Sequence, residues 1–206
     1  MIKIEHTEVF GWEAAIRGMR NPMNSWDKSD TNFSIHGQPM CGVIGPNDLT
    51  LMKKLVKAGN DHSKFMRMIN VTMDVTAPLY WWKEFDTYKV GTVANSCSTM
   101  HKIHEKEFTL DDFSHEHLTA KAESHLSDTI DMLNEYRKTF IDLKDKRFWW
   151  QMIQLLPSSY NQKRTIQLNY AVLRNMYHSR KNHKLDCWRD FCKRVETLPY
   201  SELIVC

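Results

Sequence analysis

The sequence contains few of the residues that break regular structure, with seven glycines and six prolines among 206 residues. Collagen-like and low-complexity chains need far more of both, and a hydrophobic fraction of 42% excludes a chain too polar to form a core. Long apolar runs are also absent. The most lipid-like run, residues 77–82, is far shorter than the roughly 20 residues of a membrane-spanning helix. We therefore expect no membrane partner and a single folded domain over residues 1–206.

Charge of one sign is nearly balanced by charge of the other. Lysine and arginine number 28 and aspartate and glutamate 25, for a net charge of +3. This small excess argues against a protein whose main partner is nucleic acid. The five cysteines form no CxxC pair, which favours free thiols in a reducing compartment, and the first residues lack the basic and apolar segments of a secretory signal. We therefore expect a cytoplasmic protein.

Apolar spacing in the first third of the chain predicts two helices and a strand. Residues 8–20 carry apolar side chains three and four apart, which predicts an amphipathic helix. Residues 21–47 are rich in turn signals and predict a long loop, after which Asp48 can cap a helix that ends at Gly59. Strict polar and apolar alternation over residues 70–76 predicts a half-buried strand.

Helical periodicity dominates the rest of the chain. A continuous apolar stripe predicts a helix of about seven turns over residues 118–143. Further helices are expected over roughly 146–155, 163–182 and 184–197, with Pro157 as a break. The sequence has no internal repeat and no linker rich in glycine, serine or proline, so nothing in it indicates a second domain.

Three local clusters allow both a structural and a functional interpretation. The histidines, such as His101 with His104, have spacings that fit no common metal motif, so we expect no metal site. Cys97 lies in a run of small polar residues, a composition more typical of a turn than of a thiol nucleophile. The basic residues 180–184 either cap a helix C-terminus or bind a phosphate, and the local sequence does not decide between the two.

Three segments contain distinctive residues in a fixed order. The first is Gly59–Arg67, followed by the alternating strand and Ala77-Pro78. The second is Glu84–Lys89, followed by Asn95 and Ser98. The third contains Leu156-Pro157, Asn169, Asn175 and Arg180. In this order the segments resemble the flavin-dependent thymidylate synthase family, over about residues 59–190.

The third segment is the most specific part of the resemblance. It is similar to the family's Leu-Pro, two flavin-facing asparagines and substrate-facing arginine, at matching separations without a gap. The spacing of Asn169, Asn175 and Arg180 predicts one broad face of the helix expected over 163–182.

The chain departs from the family pattern at several cationic positions. Thr87-Tyr88-Lys89 stands where the family has Arg-His-Arg, and Arg67 stands at a family histidine. Met100 and Ile153 replace two further arginines. Because replacing arginine by threonine, methionine or isoleucine removes guanidinium donors for phosphate groups, the fold is expected to transfer more safely than the activity.

The resemblance implies an α/β fold of the α+β type, a thymidylate synthase complementing-like domain with a twisted, mostly antiparallel sheet flanked by long helices. It also implies a homotetramer with active sites between subunits. Family members use FAD, a nicotinamide donor such as NADPH, and methylenetetrahydrofolate to methylate dUMP at carbon 5 of uracil. Since the flavin performs this chemistry, the protein itself needs no strong nucleophile.

The same resemblance assigns roles to individual residues. It implies that the catalytic residues are Arg180 and Ser98, that the cofactor is bound by Asn169, Asn175, Arg67 and Lys89, and that a pyrimidine deoxynucleotide is bound by Glu84, Asn95, Ser98 and Arg180. Two alternatives remain: a nucleotide-binding or assembly protein of this fold that has lost flavin catalysis, and a flavin enzyme with a different nucleotide substrate.

Overall fold

The computed structural model describes residues 2–206, and its strands form one four-stranded sheet. In spatial order β1-β2-β4-β3, the strands are β1 (Lys3–Phe10), β2 (Asn70–Pro78), β3 (Val93–Ser96) and β4 (Asn161–Asn169). The pairing of β2 with β4 is antiparallel. The carbonyl of Ile69 accepts from the N–H of Tyr170, whereas the N–H of Leu79 donates to the carbonyl of Tyr160, both at 3.0 Å.

The helical part of the described chain consists of eight α-helices and several short 3₁₀ turns. The helices are α1 (Trp12–Arg20), α2 (Pro46–Lys57), α3 (Leu79–Phe85), α4 (Ala120–Leu143), α5 (Lys146–Leu155), α6 (Tyr170–Arg180), α7 (Asp186–Glu196) and α8 (Glu202–Val205). Together with the antiparallel sheet they make an α+β protein, which confirms the predicted fold class. None of these helices is long and apolar enough to cross a membrane.

The chain divides into two compact units. The α4 unit contains residues 75–87 and 95–164 with the start of β1, and the α6 unit contains residues 4–74, 88–94 and 165–206. In the α4 unit, helices α4 and α5 enclose a core centred on the fully buried Leu133 and Met152. Whether the chain unfolds as one domain stays a prediction, which calorimetry tests as a single transition.

Several predicted elements are present with nearly the predicted bounds. Helix α5 has the predicted limits, and α4 begins two residues later than predicted. In β2 the apolar residues Val71, Met73 and Val75 are buried while the residues between them are half-buried, which confirms the predicted half-buried strand.

Two predicted helices are wrong over part of their length. Residues 8–10 belong to strand β1, and α1 starts at Trp12 after Gly11, whose φ is 94°. A side chain at Gly11 would collide with the carbonyl oxygen of Met68, 2.1 Å from the position of its Cβ, so only glycine fits this turn. Residues 163–169 belong to β4, not to a helix, because they pair with β2.

A buried ion pair secures the loop that precedes α2. Nε of Arg20 lies 2.7 Å from Oδ1 of Asp48, and the two side chains are 3% and 0% exposed. The second carboxylate oxygen of Asp48 accepts hydrogen bonds from Ser29, Thr31 and the backbone of Asp30. Asp48 therefore does not cap α2 as predicted. It lies within the first turn and binds the loop.

Candidate functional site

A cavity of about 290 Å³ opens beside helix α6. It is lined by Asn60, Ser63, Arg67, Ala171, Arg174, Asn175 and His178. The four α6 residues are spaced at i, i+3, i+4 and i+7, so they share one face of the helix. Arg67 ends the short 3₁₀ turn Lys64–Arg67 on the facing wall. The cavity thus unites two predicted cofactor residues, Arg67 and Asn175, which are far apart in sequence.

The cavity wall is cationic and polar. Its described side chains include two guanidinium groups and one imidazole beside the amides of Asn60 and Asn175. Arg174 and His178 are held in place, because Nη1 of Arg174 donates to the Ile204 carbonyl at 3.2 Å and Nε2 of His178 lies 3.1 Å from the Cys206 carbonyl. Such a wall favours an anionic ligand with planar hydrogen-bonding groups.

Arg180 lies on a different side of α6. It follows Asn175 by five residues, which at about 100° per residue turns it about 140° away. Its Nε donates to the hydroxyl of Tyr88 at 2.9 Å. Its guanidinium carbon lies 4.8 Å from the ring centroid of Trp188 and 5.5 Å from that of Tyr88. Arg180 and Asn175 therefore do not share the broad helix face that their spacing predicts.

Asn169 caps α6 rather than lying on its face. Its side-chain oxygen accepts from the N–H of Val172 at 3.1 Å. The chain at Gly91 passes close to this cap, because a Cβ there would lie 3.1 Å from Nδ2 of Asn169. The segment that carries Tyr88 and the exposed Lys89 therefore runs near the helix.

The other predicted substrate residues, Glu84, Asn95 and Ser98, belong to the α4 unit. Ser98 is exposed, and its Oγ accepts from the N–H groups of Met100 and His101 at 3.2 and 2.8 Å. These bonds shape the turn and use only the acceptor capacity of the hydroxyl, whose proton can still be donated. Asn95 is exposed in β3, and Glu84 is half-buried in α3.

Sequence reasoning missed an arginine network in the α4 unit. Arg164 lies 4.2 Å above the ring of Trp82, donates to Gln162 at 3.0 Å and pairs with Asp86 at 2.7 Å. Gln162 in turn donates to the Cys97 carbonyl, next to Ser98, at 2.6 Å. No local signal reveals these partners, because Asp86 and Arg164 are 78 residues apart.

A second cavity, of about 440 Å³, lies elsewhere in the α6 unit. Its wall includes Trp12, Tyr200 and Arg194, and Arg194 donates to the hydroxyls of Thr7 and Thr197. No residue of the three motif segments lines it. We therefore place the candidate site at the cavity beside α6. Among residues 2–206 there is also no cluster of three or more side chains suited to hold a metal.

Comparison of the sequence with protein-family models and with curated proteins finds no match. The structure, in contrast, is similar to two crystal structures of a flavin-dependent thymidylate synthase from Helicobacter pylori, both with FAD and dUMP. One superposes with a TM-score of 0.70 over 98% of each chain, and the other with 0.71 over 100% of this chain and 98% of that one. Sequence identity is 16% in both.

The chain has the flavin-dependent thymidylate synthase fold. This finding confirms the resemblance found in the three motif segments at the level of the fold. At 16% identity it extends no further than the fold, so the roles of individual residues stay predictions.

Proposed function

We propose that this chain is a divergent flavin-dependent thymidylate synthase. It would use FAD to transfer a methyl group from methylenetetrahydrofolate to dUMP or a related pyrimidine deoxynucleotide. The observation that carries the proposal is the cationic cavity, where Arg67 and Asn175 meet Arg174 and His178. These four residues lie in two of the three segments that resemble the family.

The donor set fits the phosphate portion of FAD. A guanidinium offers a planar fork of N–H donors to a phosphate, and two forks with an imidazole suit a pyrophosphate. The 290 Å³ cavity lies just below the range of about 300–1,000 Å³ for ligand pockets. It therefore suits one part of FAD, and a homotetramer with sites between subunits would supply the remaining contacts.

The chain's own residues would bind and orient the reactants. A bound reduced flavin, regenerated by NADPH, would supply the redox chemistry of the methyl transfer. Asn169 and Lys89 would support the flavin, and Arg180 and Ser98 would hold the nucleotide through a cation and a hydroxyl donor. Asn95 and Glu84 would add polar contacts to the nucleotide. These roles amount to binding, orientation and electrostatics rather than covalent catalysis.

Titration with FAD tests the binding half of the proposal. We expect purified protein to bind FAD, seen as quenching of flavin fluorescence, and Arg67→Gln to weaken the affinity about tenfold, the effect of one charged hydrogen bond. Lys64→Gln is the matched control, because it removes the same charge three residues away on an exposed side chain that does not line the cavity. Equal losses in both variants would contradict a specific role for the cavity.

Product formation tests the catalytic half. Protein supplied with FAD, NADPH, methylenetetrahydrofolate and dUMP should form dTMP, measured by chromatography. FAD binding without product from dUMP or any other pyrimidine deoxynucleotide would instead favour a binding protein that has lost catalysis. Light scattering tests the tetramer, whose mass should be four times the 24.4 kDa of one chain.

A further inference from the structure

We infer that Tyr88 is a positioning residue that fixes the guanidinium of Arg180 for the nucleotide. The inference rests on the proposed function, in which Arg180 holds a pyrimidine deoxynucleotide. It goes beyond that function because Tyr88 stands at a position where the family pattern has histidine, and the resemblance assigns Tyr88 no role.

The hydrogen bond between the two side chains is directional. Arg180 donates from Nε, which carries a single N–H, to the Tyr88 hydroxyl at 2.9 Å. Because the guanidinium is planar and rigid, a bond at Nε together with the contact to the Trp188 ring sets the orientation of the whole plane. The directions of the Nη groups follow from it. A phenol hydroxyl accepts this bond without bringing a second positive charge to Arg180.

Aromatic rings hold the same guanidinium from another direction. The Trp188 ring lies 4.8 Å from the guanidinium carbon, within the range of a cation–π contact. Trp188 is fully buried and packs edge-on against Phe191, with ring centroids 5.8 Å apart. Tyr88 meets Trp188 at 6.0 Å, so the two rings form adjoining walls. Trp188 is thus a fixed surface, and the Tyr88 hydroxyl determines how Arg180 is turned against it.

A Tyr88→Phe variant separates the hydroxyl from the ring. It keeps the aromatic wall and removes only the acceptor for Nε. We expect the affinity for dUMP, or for the pyrimidine nucleotide that binds best, to fall about three- to tenfold in calorimetric titration, as expected for loss of one hydrogen bond. Tyr177→Phe is the matched control. It removes a hydroxyl bonded to Glu196 at 2.8 Å and should change the affinity less than twofold.

A double-mutant cycle distinguishes positioning from a separate contact. In an Arg180→Ala background, Tyr88→Phe should change affinity less than twofold, because there is no guanidinium left to orient. The same loss in both backgrounds would show that Tyr88 acts independently of Arg180 and would overturn the inference. An unchanged affinity in Tyr88→Phe would also overturn it. Thermal unfolding of each variant should be cooperative, which excludes a folding defect.

Nuclear magnetic resonance provides a readout without ligand. The Nε proton of Arg180 should exchange with solvent at least tenfold more slowly in the wild type than in Tyr88→Phe. Equally fast exchange in both would overturn the inference even where nucleotide binds. If the wild type binds no pyrimidine nucleotide at all, the proposed function fails, and the nucleotide-positioning role fails with it. A slow Nε proton would then show that the side-chain pair itself exists.

Discussion

Two arginines occupy the last position of a helix in the α6 unit, and their surroundings differ. Arg20 ends α1, where it is buried and bonded to the Asp48 carboxylate and to the carbonyls of Ser25 and Lys28. Arg180 ends α6, where it is half-buried against the rings of Tyr88 and Trp188. An arginine enclosed by carbonyls and a carboxylate can only support the fold. An arginine that keeps access to solvent can also meet a ligand.

The sharpest test of this difference is to remove the buried charge of Arg20. Arg20→Met should destabilise the protein by about 3–5 kcal/mol, because it leaves the Asp48 carboxylate buried without its cation. Urea unfolding measures the loss. Arg17→Met is the control on the same helix, where the side chain is 67% exposed and its pair with Glu13 is 3.7 Å long. Similar losses in both variants would contradict the distinction.

The same ion pair predicts how stability depends on pH. Burial raises the pKa of Asp48, but hydrogen bonds from Thr31, Arg20 and Ser29 outweigh it and hold the pKa below the ordinary value. A lowered folded-state pKa stabilises the protein above the unfolded-state value of about 3.9, and this stability is lost as pH falls through the lower folded-state value. In urea unfolding at a series of pH values, the free energy of unfolding of Asp48→Asn should fall less at acid pH than that of the wild type. An equal fall in both proteins would exclude Asp48 as the cause of the acid destabilisation.

For Arg180 the largest effect should be on binding. Arg180→Ala should weaken pyrimidine nucleotide affinity about ten- to a hundredfold, which corresponds to roughly 1.5–3 kcal/mol for a hydrogen bond to a charged group. If Arg180 only capped its helix, the variant would instead lose about 0.3–1 kcal/mol of stability and bind every nucleotide as the wild type does. Calorimetric titration and urea unfolding of the same preparations separate these outcomes.

Local sequence patterns are enough to predict the elements that carry a regular hydrophobic repeat. The stripe of α4 and the alternation of β2 repeat over several turns or residues, and both elements are present. Strand β4 was predicted as helix because its partner, β2, is about 90 residues away, and pairing over that distance leaves no local trace. The end of β1, residues 8–10, was predicted as helix because Val9 fits the helical spacing of Trp12 and Ile16.

The residues of the candidate site were likewise predicted only in part from the sequence. Arg67 and Asn175 were found through the family resemblance, and the structure brings them to one cavity. Arg174 and His178 were missed, although they flank Asn175 on the same helix face, because the motif marks single positions and not the face around them. The hydrogen bond of Arg180 to Tyr88 could not be predicted, since the two residues are 92 positions apart in the sequence.

The smallest expected effect concerns Arg164, whose surroundings lie between those of Arg20 and Arg180. Its side chain is 13% exposed above Trp82, and its partner Asp86 is 53% exposed. Arg164→Lys keeps the charge but loses the planar stack and the fork that reaches both Gln162 and Asp86, so we expect a loss of about 1 kcal/mol in urea unfolding. Asp86→Asn should cost less, within about 0.5 kcal/mol, because solvent screens the exposed carboxylate. If Asp86→Asn lowers the free energy of unfolding as much as Arg164→Lys does, the ion pair and not the stack on Trp82 holds this arginine.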